Sequence, residues 1–146
     1  MKAFIVFALS ALVLAPETGL ANLAPAPENA SSQQVFDVTM SIRNGNRVIA
    51  EPRMRVLSGE IARIELEPGD GSHFGMDFTV KPQDAEHLMF AANVDAGEAN
   101  GNSRTSLQAA PKLIVLAGQS STIEIGNEAQ GIGTYRTDFI IRPVSR

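Results

Sequence analysis

The sequence predicts an all-β fold: a single small antiparallel sandwich or open barrel built from two tandem hairpin repeats. Three observations predict it. Short runs alternate apolar and polar residues with period two, glycines and prolines punctuate those runs, and one stretch occurs twice. Residues 50–66, AEPRMRVLSGEIARIEL, return as residues 109–125, AAPKLIVLAGQSSTIEI, 59 positions on. Seven of the seventeen aligned positions are identical, among them Pro52/Pro111, Gly59/Gly118 and Glu65/Glu124. A second match, DFTVKP (residues 77–82) against DFIIRP (residues 138–143), is offset by 61. Each copy of an internal repeat is one supersecondary unit with an apolar face it cannot bury alone.

Alternation assigns the faces, because successive side chains on a strand point to opposite sides. Met54 and Val56 share one face, as do Leu113 and Val115. Ala62, Ile64 and Leu66 share another, matched by Ser121, Ile123 and Ile125. Placing both apolar sets on one side of a hairpin requires an odd loop. Leu57-Ser58-Gly59 and Leu116-Ala117-Gly118 serve, with each glycine at the αL position of a bulged turn. Proline cannot donate to a ladder, so Pro52 and Pro111 mark strand starts or edges, and Pro82 and Pro143 mark strand ends. Glu65 and Glu124 fall on the polar face as solvated carboxylates.

The run Ala-x-Pro-basic, a few apolar residues, Gly-Gln/Glu, then an alternating Ile-Glu-Ile strand resembles part of the bacterial outer-membrane secretin domain. The second copy, APKLIVLAGQSSTIEIG followed by a strand ending FIIRP, is the more similar. The resemblance covers two short units with their closing strands. It implies β-structure in the cell envelope. The sequence shows no ring-forming or membrane-lip segment of that family, so channel function is not implied.

With 146 residues there is room for one domain with an adequate core. Aromatic residues make up 5% and tryptophan is absent, so Ile, Val, Leu, Met and a few Phe must build that core. A formal charge of −4 with no basic stripe argues against a nucleic-acid partner. Residues 1–21 read as a signal peptide: Lys2 as the positive end, an apolar run over residues 3–15, and Gly19-Leu20-Ala21 before the cleavage point. That apolar run is short for a bilayer span, which leaves no transmembrane anchor after cleavage; an uncleaved anchor is the alternative. The absence of cysteine excludes disulfides. The address expected is periplasmic or secreted, from a bacterium. Residues 22–34, NLAPAPENASSQQ, read as a disordered linker too poor in large apolar groups to order itself.

The β-domain is expected over residues 35–144, with copy one at 35–82 and copy two at 87–144. Residues 35–43, VFDVTMSIR, alternate cleanly, and Asn44-Gly45 signals a type I′ hairpin turn to a strand at 47–51. Residues 67–75 are a turn cluster with three glycines, and 76–81 close the first copy. Residues 82–86 suit one helical turn, with Pro82 at N1. Residues 87–93 read as a strand or a short helix. Residues 94–105, VDAGEANGNSRT, read as the longest polar loop, lying where copy two should have its leading hairpin. The expected core is Phe36, Val38, Met40, Ile42, Met54, Val56, Ile64, Leu66, Phe78, Val80, Leu113, Val115, Ile123, Ile125, Phe139 and Ile141.

No constellation meets the demands of catalysis. His73 lies beside Asp70 and Ser72, but triads converge from distant segments, so adjacency does not make one. His87 opens an apolar run and reads as a strand-end residue. Asp95, Glu98, Asn100 and Asn102 with Gly97 and Gly101 supply oxygen-rich groups, yet without EF-hand order or its closing glutamate. Gly131-Ile132-Gly133 lacks the third glycine of a dinucleotide loop. The sequence therefore points to no catalytic, cofactor-binding or metal-binding residue. It favours a non-enzymatic β-protein for binding or assembly of envelope components, with an envelope or secretion-system protein as partner, or another copy of itself in a homo-oligomer. The alternative is a small envelope enzyme or inhibitor with its site in the loops 67–75 and 94–105.

Overall fold

The computed structural model describes residues 33–145. The signal peptide expected at 1–21 and nearly all of the linker expected at 22–34 lie outside the described residues. Ten strands follow: β1 (Val35–Asn44), β2 (Arg47–Ala50), β3 (Arg53–Leu57), β4 (Ala62–Leu66), β5 (Ser72–Pro82), β6 (His87–Asn100), β7 (Ser103–Ala109), β8 (Lys112–Leu116), β9 (Ser120–Asn127) and β10 (Ile132–Pro143). A single 3-10 turn, Glu128–Gln130, joins β9 to β10. The strands form two five-stranded antiparallel sheets and no closed barrel. In the first, β2 and β3 lie end to end along β1, followed by β10 and β9. In the second, β7 and β8 lie end to end along β6, followed by β5 and β4.

The two halves share one register. Val38 pairs with Met54 as Phe90 pairs with Leu113, and Ile64 pairs with Met76 as Ile123 pairs with Thr137. Equivalent positions are therefore 52 apart from β1 to β6, 59 apart from β3 to β8 and β4 to β9, and 61 apart from β5 to β10. Each sheet takes three strands from one half and two from the other. Neither half can close a sheet without its counterpart, so the units bury their apolar faces jointly.

Four expectations need correction. Residues 57–59 and 116–118 do not close hairpins: β3 pairs with β1 and β4 with β5, in different sheets. They form arches that carry the chain across the sandwich. Gly59 and Gly118 do hold positive φ, 77° and 78°, where a β-carbon would be strained. Their amides donate to the equivalent carbonyls of Val80 and Ile141, tying each arch to the opposite strand.

The leading hairpin of copy two, in turn, occupies the stretch read as the 94–105 polar loop; β6 and β7 pair from Val94↔Ala109 to Asn100↔Ser103. It ends in Gly101-Asn102, as the first hairpin ends in Gly45-Asn46. Both glycines have positive φ and neither asparagine does, the pattern of a type II′ turn rather than type I′. Residues 82–86 form no helical turn. There the Asp84 carboxylate accepts from the Glu86 and His87 amides at 2.9 and 2.8 Å.

The core lies between the sheets and includes every residue expected there, with Met54, Leu113 and Ile125 only partly buried. Phe74, Met76, Leu88, Phe90, Val94, Ile132 and Tyr135 join it.

Candidate functional site on the outer face of one sheet

The two loops held out as an alternative site do meet, because β5 and β6 pair. Ser72 faces Glu98, His73 faces Gly97 and Gly75 faces Asp95. Only residues 67–71 of the first loop precede the strand; the rest is ladder. Alternation then separates the groups that adjacency suggested. Ser72 is buried on the inner face and its hydroxyl and amide donate to Asp70, which Arg47 also holds. Those donors keep the Asp70 carboxyl far below the usual carboxylate range, with the Ser72 hydroxyl the largest cause. His73 turns to the outer face, with Nε2 3.2 Å from Asp95 Oδ1, and its ring covers Gly97. Serine and histidine stand on opposite sides of one strand, so they form no nucleophile–base pair.

Asp95 and Glu98 likewise fall on opposite faces of β6. Among the described residues, no three His, Asp or Glu side chains converge as a metal would need. His87 sits at the start of β6, with Nδ1 2.9 Å from Asp84. Tyr135 is buried in β10 and donates to the Gly97 carbonyl at 3.3 Å; burial pushes its hydroxyl pKa up. Gly131 caps the 3-10 turn in the left-handed region, while Gly133 belongs to β10.

The concave feature lies elsewhere, on the outer face of the second sheet. A trough of about 560 Å³ runs over Gly75, between Arg63 and Glu65 of β4 and Asn93 and Asp95 of β6, with Gln108 at its end. Arg63 makes a bidentate pair with Asp77 at 2.7 and 2.9 Å and approaches Glu65 at 4.0 Å. This pairing holds the Asp77 carboxyl below its ordinary value. A second hollow of about 260 Å³ continues from Asp77 and Asn93 toward Ile61, Ala91 and Lys112. Beside it Met89 faces Ile114, which is 54% exposed, and His87 faces Leu116.

The first sheet has no such trough in the equivalent place, for a reason visible residue by residue. Arg136 stands where the second sheet has Gly75, and Arg43 where it has Asp95. The Arg136 guanidinium lies across the first sheet, 3.0 Å from Asp138 and 3.6 Å from Glu124. Asp37 and Arg55 form an ion pair where the second sheet has Met89 and Ile114. The centre of one outer face is thus filled by the Arg136 side chain, while the other face, where Arg63 holds Asp77 and His73 lies against Asp95, is hollow over Gly75 and flanked by apolar groups.

Sequence reasoning missed this site, although its signal was present. Two residues before the DF match, at the same offset of 61, Gly75 aligns with Arg136. No family model, no curated protein and no solved structure matches this chain.

Proposed function

We propose that this chain is an exported, non-enzymatic β-protein of the bacterial envelope that acts by binding or assembling with another protein, through strand addition at a sheet edge. The observation that carries this reading is the pair of edges on one side of the sandwich. Among the described strands β3 pairs with β1 alone and β4 with β5 alone, which leaves one edge of each without a ladder partner. Unpaired edges template the addition of a strand from another chain. Arg53, Arg55, Arg63 and Glu65 are exposed along them, charges of the kind that discourage indiscriminate pairing while admitting a chosen segment. The resemblance of the duplicated units to part of the secretin domain, and the reading of residues 1–21 as a signal peptide, favour the periplasm as the place of action. No helix of the described residues is long and apolar enough to cross a membrane.

Proline at Arg55 or Arg63 removes a backbone donor from an edge, while His73→Ala removes the histidine that the rival small-molecule reading would need. With folding of each variant checked by circular dichroism, a pull-down from the periplasmic fraction should lose its partner with either proline and keep it with His73→Ala. Capture that survives both prolines and fails with His73→Ala would overturn the proposal.

A further inference from the structure

The trough over Gly75 is hollow because a side chain is missing, and nothing in the backbone requires that. Gly75 has no positive φ, and a β-carbon built there would meet nothing nearer than 3.8 Å. A glycine inside a strand weakens it, and where no bulge or bend explains the residue it marks a place where something else approaches closely. What approaches is indicated by the equivalent place in the other sheet. There the Arg136 guanidinium lies between Glu124 and Asp138. The second sheet keeps both carboxylates, as Glu65 and as Asp77, which Arg63 already holds, and adds a third, Asp95, beside His73, where the first sheet has Arg43. Glu65 and Asp95 flank Gly75 from its two neighbouring strands. Arg63 is the one arginine or lysine of this set, so with His73 counted as neutral Glu65, Asp77, Asp95 and Arg63 carry two net negative charges. Glu65 and Asp95 are the carboxylates that Arg63 does not bind bidentately. The equivalent set of Arg43, Arg136, Glu124 and Asp138 carries none.

We infer that the trough over Gly75 receives the guanidinium of an arginine carried on another polypeptide, in the place that Arg136 fills internally on the opposite sheet. Planar guanidinium groups suit paired carboxylates, to which they present several donors in a fixed fork. The Asn93 and Gln108 amides at the rim offer further acceptors. A polypeptide source rather than a free small molecule is favoured by the apolar strip of Met89, Ile114 and Leu116, which continues the trough through the smaller hollow and gives the residues next to the arginine somewhere to pack. This inference differs from strand addition in using side chains on the sheet face and not an edge ladder; Arg63 and Glu65 of β4 belong to both, so Arg55→Pro in β3 is the edge variant that leaves the trough intact.

The test is a 1H–15N titration of the purified protein with agmatine, and in parallel with a short peptide carrying one arginine flanked by leucines. Agmatine should give saturable shifts centred on Gly75, Asn93 and Gln108, weakened by added salt as exposed charge contacts are. The peptide should bind about tenfold more tightly or better, and extend the shifts to Met89 and Ile114. Gly75→Arg, which rebuilds the arrangement of the first sheet, should abolish both. Asp95→Asn, a milder change that keeps the size of a side chain lying against His73, should weaken agmatine while the spectrum away from His73 and the trough stays unchanged. Absence of saturable shifts at the trough, or undiminished binding in Gly75→Arg and Asp95→Asn, overturns the site. Equal affinity for agmatine and peptide overturns the polypeptide source. No binding at the trough of the unaltered protein, with Arg55→Pro still defective in capture, would overturn this inference and leave strand addition standing.

Discussion

Phe74 and Tyr135 occupy equivalent positions in the two halves, and their rings stack on one another with centroids 5.7 Å apart. Two equivalent residues that touch must lie beside the axis relating their halves. The contact therefore marks where the two units meet, at the end of the sandwich that holds Asp70, Ser72 and Glu98. Only Tyr135 carries a hydroxyl, which it donates to Gly97. Tyr135→Phe keeps the stack and drops that bond, so it should cost about 0.5–1.5 kcal/mol in urea melts. Tyr135→Ala should cost several times more, because the ring itself is lost.

Farther along the core, Phe139 stacks on Phe90 across the sheets at 4.4 Å, and Phe90 on Phe78 at 5.3 Å. Phe139 is 2% exposed, so Phe139→Ala should cost about 3–5 kcal/mol. Combining it with Phe90→Ala should cost less than the sum, since the two share one contact. A loss below about 1 kcal/mol from Phe139→Ala would place that ring outside the core.

Glycine-to-alanine changes should have opposite signs at two kinds of position. At Gly118, with φ 78° and open space around it, alanine meets only the backbone penalty and should destabilise by about 1–2 kcal/mol. At Gly75, with ordinary strand geometry, alanine should stabilise by about 0.5–1 kcal/mol. Thermal denaturation of the two variants checks the contrast. A loss of stability at Gly75→Ala would mean that the backbone itself demands that glycine.

Acid should weaken the fold in a defined window. Two backbone amides and the His87 ring lower the Asp84 carboxyl from 3.8 to about 2. A carboxyl whose folded pKa lies below its unfolded one stabilises fully above the unfolded value, and that contribution disappears as pH falls through the folded one. The denaturation midpoint should therefore decline from about pH 4 toward pH 2. Asp84→Asn should flatten part of that decline, while Asp70, held down by Ser72 and Arg47, Asp77, held down by Arg63, and Asp138, held down by Thr122 and Arg136, account for the rest. A midpoint indifferent to pH in this window would contradict these assignments.

Ser41, the counterpart of Asn93 on the first sheet, has a buried hydroxyl with no hydrogen-bond partner. An unsatisfied buried polar group costs about 1–3 kcal/mol, so Ser41→Ala should be neutral or stabilising in the same melts. Destabilisation by more than about 1 kcal/mol would show that the hydroxyl is bonded.

By itself the sequence determined which residues face the core and where the chain turns. Period-two alternation sets the faces of residues 35–43, 53–57, 62–66, 112–116 and 120–125 whatever their partners, and Gly59 and Gly118 declare their left-handed turns because only glycine fits there at little cost. Only the tertiary structure decided who pairs with whom. An arch and a three-residue hairpin present the same alternation, since alternation records side-chain direction and not the destination of backbone hydrogen bonds. For the same reason the β6–β7 hairpin read as a loop. Beyond Gly97 it is exposed and polar, and its ladder is made by backbone groups that leave no mark in residue type. The repeated Asn-Gly-Asn at 44–46 and 100–102 was its one legible signal. The trough too waited on the fold, because a glycine opposite a distant arginine has meaning only once register makes Gly75 and Arg136 equivalent.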